Sequence, residues 1–293
     1  MNKKKEMGNR VILTIGIVCS GWILYRLVNF IYTYIRPSAL RKYLLEDAYA
    51  LVTGATDGIG KAIALELASH HFNVILHGRN PVKLKLVEAE IKTKHPENKV
   101  VCLLHDGSKN SRLDISAIKD LPITVLVNNA GVGPINELAK FSSDEIDKTI
   151  TLNTAFPSQL TRSLLPYLNK KSLILNVASY AGLFPPPYLA VYAATKAYNN
   201  AFSISLAREL ENIEVISLIT GSVNTGSNTK PVTFMRPSAA TYARHVLGIV
   251  GCGKKSIMPY WPHAVQVFLI SLLPERMIDK ATKNVMKKEL GLE

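Results

Sequence analysis

Tyr49-Ala50-Leu51-Val52 reads as a short strand, and Thr53-Gly54-Ala55-Thr56-Asp57-Gly58-Ile59-Gly60 follows it directly. Residues 61–71 then carry the apolar periodicity of a helix. No other stretch limits the fold as strongly. A glycine-rich turn between a strand and a helix lets backbone approach a diphosphate and points N–H groups at it. The spacing is Gly-x-x-x-Gly-x-Gly rather than Gly-x-Gly-x-x-Gly, and glycines that merely punctuate a turn are the alternative.

The pattern that opens there continues. Strands are expected at 73–77, 100–104, 125–127, 173–177 and 214–219, and helices at 81–95, 144–165 and 192–210. Alternation over this length predicts an α/β fold, a doubly wound parallel sheet of the Rossmann type, with ligands at the carboxyl ends of its strands. The polar signatures fall at those ends: Gly78-Arg79, Asp106, Asn128-Asn129-Ala130-Gly131, Ser179 and Thr220-Gly221-Ser222-Val223-Asn224-Thr225. After the second strand an acidic residue would accept the ribose hydroxyls of NAD. Arg79 suits a 2′-phosphate instead, which favours NADP(H), with a surface arginine in a turn as the alternative.

Tyr192 and Lys196 stand four residues apart, on one face of a helix. A phenol titrates near ~10, and an ammonium beside it favours the phenolate and draws that value down. Ser179, at the end of its strand, can hold a carbonyl or alcohol oxygen beside the phenol. Such a site transfers protons on a C–O group. Tyr-x-x-x-Lys alone also occurs in helices where a half-buried tyrosine sits beside a solvated lysine.

Residues 11–35 are apolar and aromatic apart from Arg26 and a few small polar residues, long enough to cross a bilayer. A retained anchor is expected, against a cleaved signal peptide or a buried helix. Basic residues flank both sides (Lys3, Lys4, Lys5 and Arg10; Arg36, Arg41 and Lys42), so charge counting leaves orientation open. With 35 Lys and Arg against 22 Asp and Glu, the net charge is +13. That excess suits phosphorylated cofactors, acyl-CoA or a membrane face, and no nucleic-acid signature accompanies it. Cys19, Cys102 and Cys252 are scattered without metal-ligand spacing, so reduced thiols and no metal are expected. Residues 226–238 read as a mobile flap over a substrate. The apolar stretch 257–273, broken by Pro259, Pro262 and His263, reads as a core helix, a pocket wall or a membrane-lying segment, and a basic amphipathic tail follows it. Three parts are expected: an anchor, 1–36; a nucleotide-binding catalytic domain, 37–255; and a C-terminal segment, 256–293.

Taken together, TGATDGIG, NNAG, Ser179 and YAATK resemble the short-chain dehydrogenase/reductase family over roughly residues 48–225. The resemblance implies a tetrad. Tyr192 donates the proton, Lys196 lowers its pKa and holds the nicotinamide ribose, Ser179 orients the carbonyl, and Asn153 anchors a relay water. It also implies that Gly54, Gly58, Ile59 and Gly60 wrap the pyrophosphate, with Thr56, Asp57, Ala130 and Gly131 among the cofactor contacts. Asp106 and Asn128 would lie along the adenosine, Val223 and Thr225 at the nicotinamide amide. The family usually has Pro-Gly where this chain has Thr220-Gly221, which would loosen a turn near the nicotinamide. The N-terminal apolar segment, FPPPYLAVYAATKAY and YWPHA look like the microsomal very-long-chain 3-oxoacyl-CoA reductases and the 17β-hydroxysteroid dehydrogenases of the same branch. That implies NADPH-dependent reduction of a 3-oxoacyl-CoA in fatty-acid elongation, at the endoplasmic reticulum membrane with the domain in the cytosol. Other elongation enzymes and a second copy of the chain are the partners it admits. A steroid or another lipophilic ketone is the alternative substrate, and a non-catalytic NADP-binding membrane scaffold the alternative of another class.

Overall fold

The computed structural model describes residues 2–109 and 112–291; the side chains of Lys3, Lys4 and Lys5 lie outside the described residues. The chain divides into two compact units, Met1–Ser38 and Ala39–Glu293. The first is one helix, α1 (Asn2–Ile35), whose stretch Glu6–Ile35 is long and apolar enough to cross a membrane. At 1.5 Å per residue its 30 residues span roughly 45 Å, against a hydrocarbon core of about 30 Å.

The second unit is built on seven parallel strands: β1 (Tyr49–Thr53), β2 (Asn73–Gly78), β3 (Val100–Leu104), β4 (Ile123–Asn128), β5 (Ser172–Ser179), β6 (Ile213–Thr220) and β7 (Ser256–Ile257). They lie in the order β3-β2-β1-β4-β5-β6-β7. The direction of winding reverses between β1 and β4, and the crevice at such a switch is where sheets of this kind take ligands. β1, β2 and β4 are buried at every position, as strands covered by helices on both faces must be.

The crossover helices are α2 (Gly58–Ser69), α3 (Pro81–Lys94), α4 (Ser143–Ile150), α5 (Phe156–Leu164), α6 (Ala190–Glu209) and α7 (Ala239–Gly248). Asn80 caps α3 through Lys83 N–H, and Ser142 and Glu145 form a reciprocal capping box on α4. The sequence predicts one helix over 144–165. The chain instead forms α4 and α5 joined by a π-helical turn, Thr151–Ala155, which contains Asn153. Residues 257–273 resolve into the end of β7 and a helix, α8 (Trp261–Ser271). Pro262 does not break α8, because it occupies the first turn, where no N–H is required. A last helix, α9 (Glu275–Glu289), closes the chain.

Candidate active site

The turn after β1 takes its shape from its glycines. Gly54 and Gly58 have φ of 64° and 54°, values that side chains disfavour. A Cβ on Gly60 would stand 2.3 Å from the Gly54 oxygen, so the first turn of α2 presses directly on the loop. Thr53 at the end of β1 and Asn129 just after β4 hold the loop to the neighbouring strand. Thr53 Oγ1 accepts from the N–H groups of Asn129 and Ala130, and Asn129 Nδ2 donates to the Thr53 oxygen. Asp57 accepts from Gly58 N–H at 2.6 Å and lies 3.8 Å from Lys83, so its carboxylate caps α2. That bond sets the turn, and an anionic group at this position opposes phosphate. Thr56 packs against Gly78 at the end of β2.

Across the switch, β5 delivers Ser179 and α6 delivers Tyr192 and Lys196. The Ser179 hydroxyl acts on the Tyr192 phenol, drawing its pKa down, and accepts from Ala181 N–H at 3.2 Å. Lys196 is buried; its Nζ donates to the Val177 oxygen at 2.7 Å and sits 5.7 Å from the Tyr192 ring centre. Asn153 is fully buried. Its Nδ2 donates to the Val132 oxygen (2.8 Å) and to Thr195 Oγ1 (3.0 Å), while its Oδ1 accepts from Val132 N–H (2.9 Å). Thr195 in turn donates to the main-chain oxygen of Tyr192 at 2.7 Å. Thr195 thus straps Asn153 to the first turn of α6, beside Ser179 and Lys196 at the carboxyl end of β5.

Burial governs the charges. It pushes the Tyr192 phenol above its ordinary pKa, against the opposing Ser179 hydrogen bond, and brings Lys196 down to about 8. Burial therefore sets the direction of the phenol's shift, and Ser179 opposes it. The phenol is protonated at neutral pH, the form a proton donor needs.

The model of the short chain dehydrogenase family matches residues 48–234, which is more than half of the sequence. The chain belongs to this family. Relatives include a very-long-chain 3-oxoacyl-CoA reductase of Eremothecium gossypii, 35% identical over 88% of this chain and 80% of that protein. An inactive hydroxysteroid dehydrogenase-like protein 1 of Homo sapiens is 34% identical over 89% and 82%. Among solved structures, a short-chain dehydrogenase from Sphingobium yanoikuyae in complex with NADPH superposes with a TM-score of 0.64. It is 24% identical and covers 78% of this chain and 97% of its own.

Other expected positions of this short-chain dehydrogenase surround the same crevice. Arg79 is exposed at the end of β2, and its charge reaches Asp106. Burial works to raise the Asp106 pKa, but hydrogen bonds from Ser108 and the charges of Arg79 and Lys109 hold it below the ordinary value. Gly131 faces Lys196: a Cβ there would lie 3.4 Å from Nζ and 3.1 Å from Asn153 Oδ1. Val223 is buried, and Thr225 packs beside Gly58, which brings the segment after β6 onto the glycine turn. Asn128, expected along the adenosine, turns its side chain into the core, where Nδ2 donates to Thr161 and Asn176. Its Oδ1 is buried without a hydrogen-bond partner among the described residues.

The Thr220-Gly221 departure is compensated. Thr220 Oγ1 is hydrogen-bonded to the buried Tyr242 hydroxyl at 2.8 Å, which ties the turn to α7, and His263 of α8 fills the space that a Cβ on Gly221 would need. The flap is also better tied than its polar sequence suggests. Asn224 N–H donates to Pro237 oxygen, Thr225 and Asn228 pair through their main chains, and Arg236 Nε donates to Ser222 Oγ. Thr195, Asn129 and the Val177 oxygen are parts of the site that sequence reasoning missed. YAATK and NNAG contain the first two, but nothing in the sequence says which strand they reach.

Proposed function

We propose that this short-chain dehydrogenase uses NADPH to reduce very-long-chain 3-oxoacyl-CoA to 3-hydroxyacyl-CoA, held by α1 in the endoplasmic reticulum membrane with its catalytic domain in the cytosol. The observation that carries the reading is the convergence of Ser179, Tyr192, Lys196 and Asn153 beside a glycine turn built for a diphosphate. Relatives named for that substrate, the apolar helix and the net charge of +13 support the acyl-CoA assignment.

The residues fit a dinucleotide. The positive φ of Gly54 and Gly58 and the missing Cβ at Gly131 leave room that a side chain would fill. Gly54, Gly58, Ile59 and Gly60 would hold the pyrophosphate, Arg79 the 2′-phosphate, Asp106 the adenosine side and Lys196 the nicotinamide ribose. Thr56, Ala130, Gly131, Val223 and Thr225 would line the rest. Bound there, NADPH would supply the hydride that reduces C3 of the substrate. The protein's own part is proton chemistry. Ser179 orients the substrate oxygen, and Tyr192 donates the proton that turns it into a hydroxyl. Lys196 supplies a positive charge in a dry site, where charge acts strongly. Both donors of the Asn153 amide are spent on Val132 and Thr195, so a relay water would be held through an oxygen of residue 153.

The test is purified protein in detergent with NADPH, 3-oxoacyl-CoAs of graded length and a panel of steroids. Oxidation of NADPH that rises with acyl length is expected. Turnover confined to steroids would reassign the substrate. Cofactor binding without turnover on any ketone would instead reveal a scaffold.

A further inference from the structure

α8 carries an apolar stripe that the rest of the described chain leaves open. Trp261, Val265, Phe268, Leu269 and Leu272 recur at helical spacing along it, and Phe234 of the flap stands edge-on to Trp261 with ring centres 5.7 Å apart. Phe268 and Leu272 are 62% and 66% exposed, values that no core helix shows. α8 is fixed to the flap by two bonds. The Tyr260 hydroxyl donates to Phe234 oxygen at 2.8 Å, and His263 Nε2 lies 3.0 Å from Met235 oxygen. A carbonyl partner fixes Nε2 as the donor, and burial keeps His263 below its ordinary pKa. A contiguous exposed apolar face of this kind marks a contact surface.

We propose that this stripe lies in the surface of a lipid bilayer, the same one that α1 crosses, as a second point of membrane contact. Three observations select lipid as the occupant. α8 contains no Asp, Glu, Lys or Arg, and a tryptophan heads its stripe, as at the boundary between headgroups and acyl chains. α9 follows at once with Arg276, Lys280, Lys283, Lys287 and Lys288 against three acidic residues, a balance that suits anionic headgroups. The chain is tethered to a bilayer by a span that ends four residues before the second unit begins, so a weak patch acts at high effective concentration. A second copy would instead bring two strongly basic chains together, each with a net charge of +13. Contact at α8 would bear on the flap through Phe234 and Met235.

Trp22→Phe leaves Trp261 as the single tryptophan of the full chain. That variant, reconstituted into vesicles of phosphatidylcholine and phosphatidylserine, is compared with the same vesicles containing lipid brominated in its acyl chains. Emission from Trp261 is expected to fall about twofold, as for an indole at the acyl boundary. Adding Phe268→Glu and Leu272→Glu is expected to abolish the quenching, with circular dichroism checking that the fold is kept. Emission indifferent to brominated lipid overturns the proposal, whether Trp261 then faces water or a second copy. Quenching that survives the two glutamates undiminished overturns it as well. The readout is contact alone, so its failure leaves the reductase reading standing, and the converse holds.

Discussion

The reacting cluster and the flap with α8 lie at the same end of the sheet, yet they are built on opposite principles. Around Tyr192 the polar groups are buried and answered by the protein itself: Asn153 by Val132 and Thr195, Thr195 by the Tyr192 oxygen, Lys196 by Val177. Across the flap, backbone oxygens at Phe234 and Met235 are gripped by side chains of the Tyr260–His263 segment, while Phe234, Val232 and the α8 stripe face outward. Chemistry needs groups held in one geometry. A tail of variable length asks for an apolar surface that adapts. Changes in the first region should therefore move kcat, and changes in the second KM.

The largest effect is expected at Tyr192. Tyr192→Phe removes the proton donor and leaves the ring's packing, so kcat should fall roughly a hundredfold to ten-thousandfold. Steady-state rates with NADPH and a 3-oxoacyl-CoA measure it. Full activity in the variant would break the comparison at its root.

Next comes Thr195, a positioning residue. Thr195→Val keeps the shape but leaves an Asn153 amide donor buried without its partner, a cost of about 1–3 kcal/mol. Both melting temperature and kcat should drop, the latter about twofold to tenfold with half of that cost falling on the aligned state. Thr195→Ser should restore both, because the hydroxyl returns. A valine variant that loses stability but keeps kcat would make Thr195 a packing residue only.

A smaller, graded effect follows from Lys196. Burial brings its pKa to about 8, while it pushes the Tyr192 phenol above its ordinary value. As pH rises, the ammonium is thus the first of the pair to lose its proton. kcat/KM, which reports groups of the free enzyme, should decline above about pH 8, by up to tenfold per unit. Raising the pH removes the charge and lowers the rate; lowering it below 8 restores the ammonium. A basic limb near 10 would mean that the lysine is wetter in solution than its surroundings imply.

The same contrast explains what the sequence could reveal. The glycine turn was legible because backbone at φ of 64° and 54° selects glycine, a local requirement written at Gly54 and Gly58 themselves. Tyr192 and Lys196 were legible because helical spacing alone places them together. The straps were not. Asn153 reaches Thr195 across 42 residues of chain, and Asn128 turns from the crevice toward Thr161 and Asn176 because those side chains happen to lie beneath it. The π-helical turn at Thr151–Ala155 hides inside a continuous helical pattern. α7 and α8 were obscured by polar turns and prolines, although Pro262 stands at the one end of a helix that accepts it.

The smallest expected effect tests the adaptable region. Tyr260→Phe deletes the hydroxyl that donates to Phe234 oxygen at 2.8 Å and keeps the ring that packs between His245 and His263. Such a neutral hydrogen bond is worth about 1 kcal/mol, so the flap should hold this arrangement about fivefold less well. Because the Tyr260 hydroxyl is bonded to the flap and to none of the four groups of the cluster, the loss should appear in KM for long acyl chains, with kcat and the pH profile unchanged. A short ketone that needs no flap should show no change at all. If kcat falls instead, the two regions are mechanically one, and the flap belongs to the reacting geometry rather than to substrate capture.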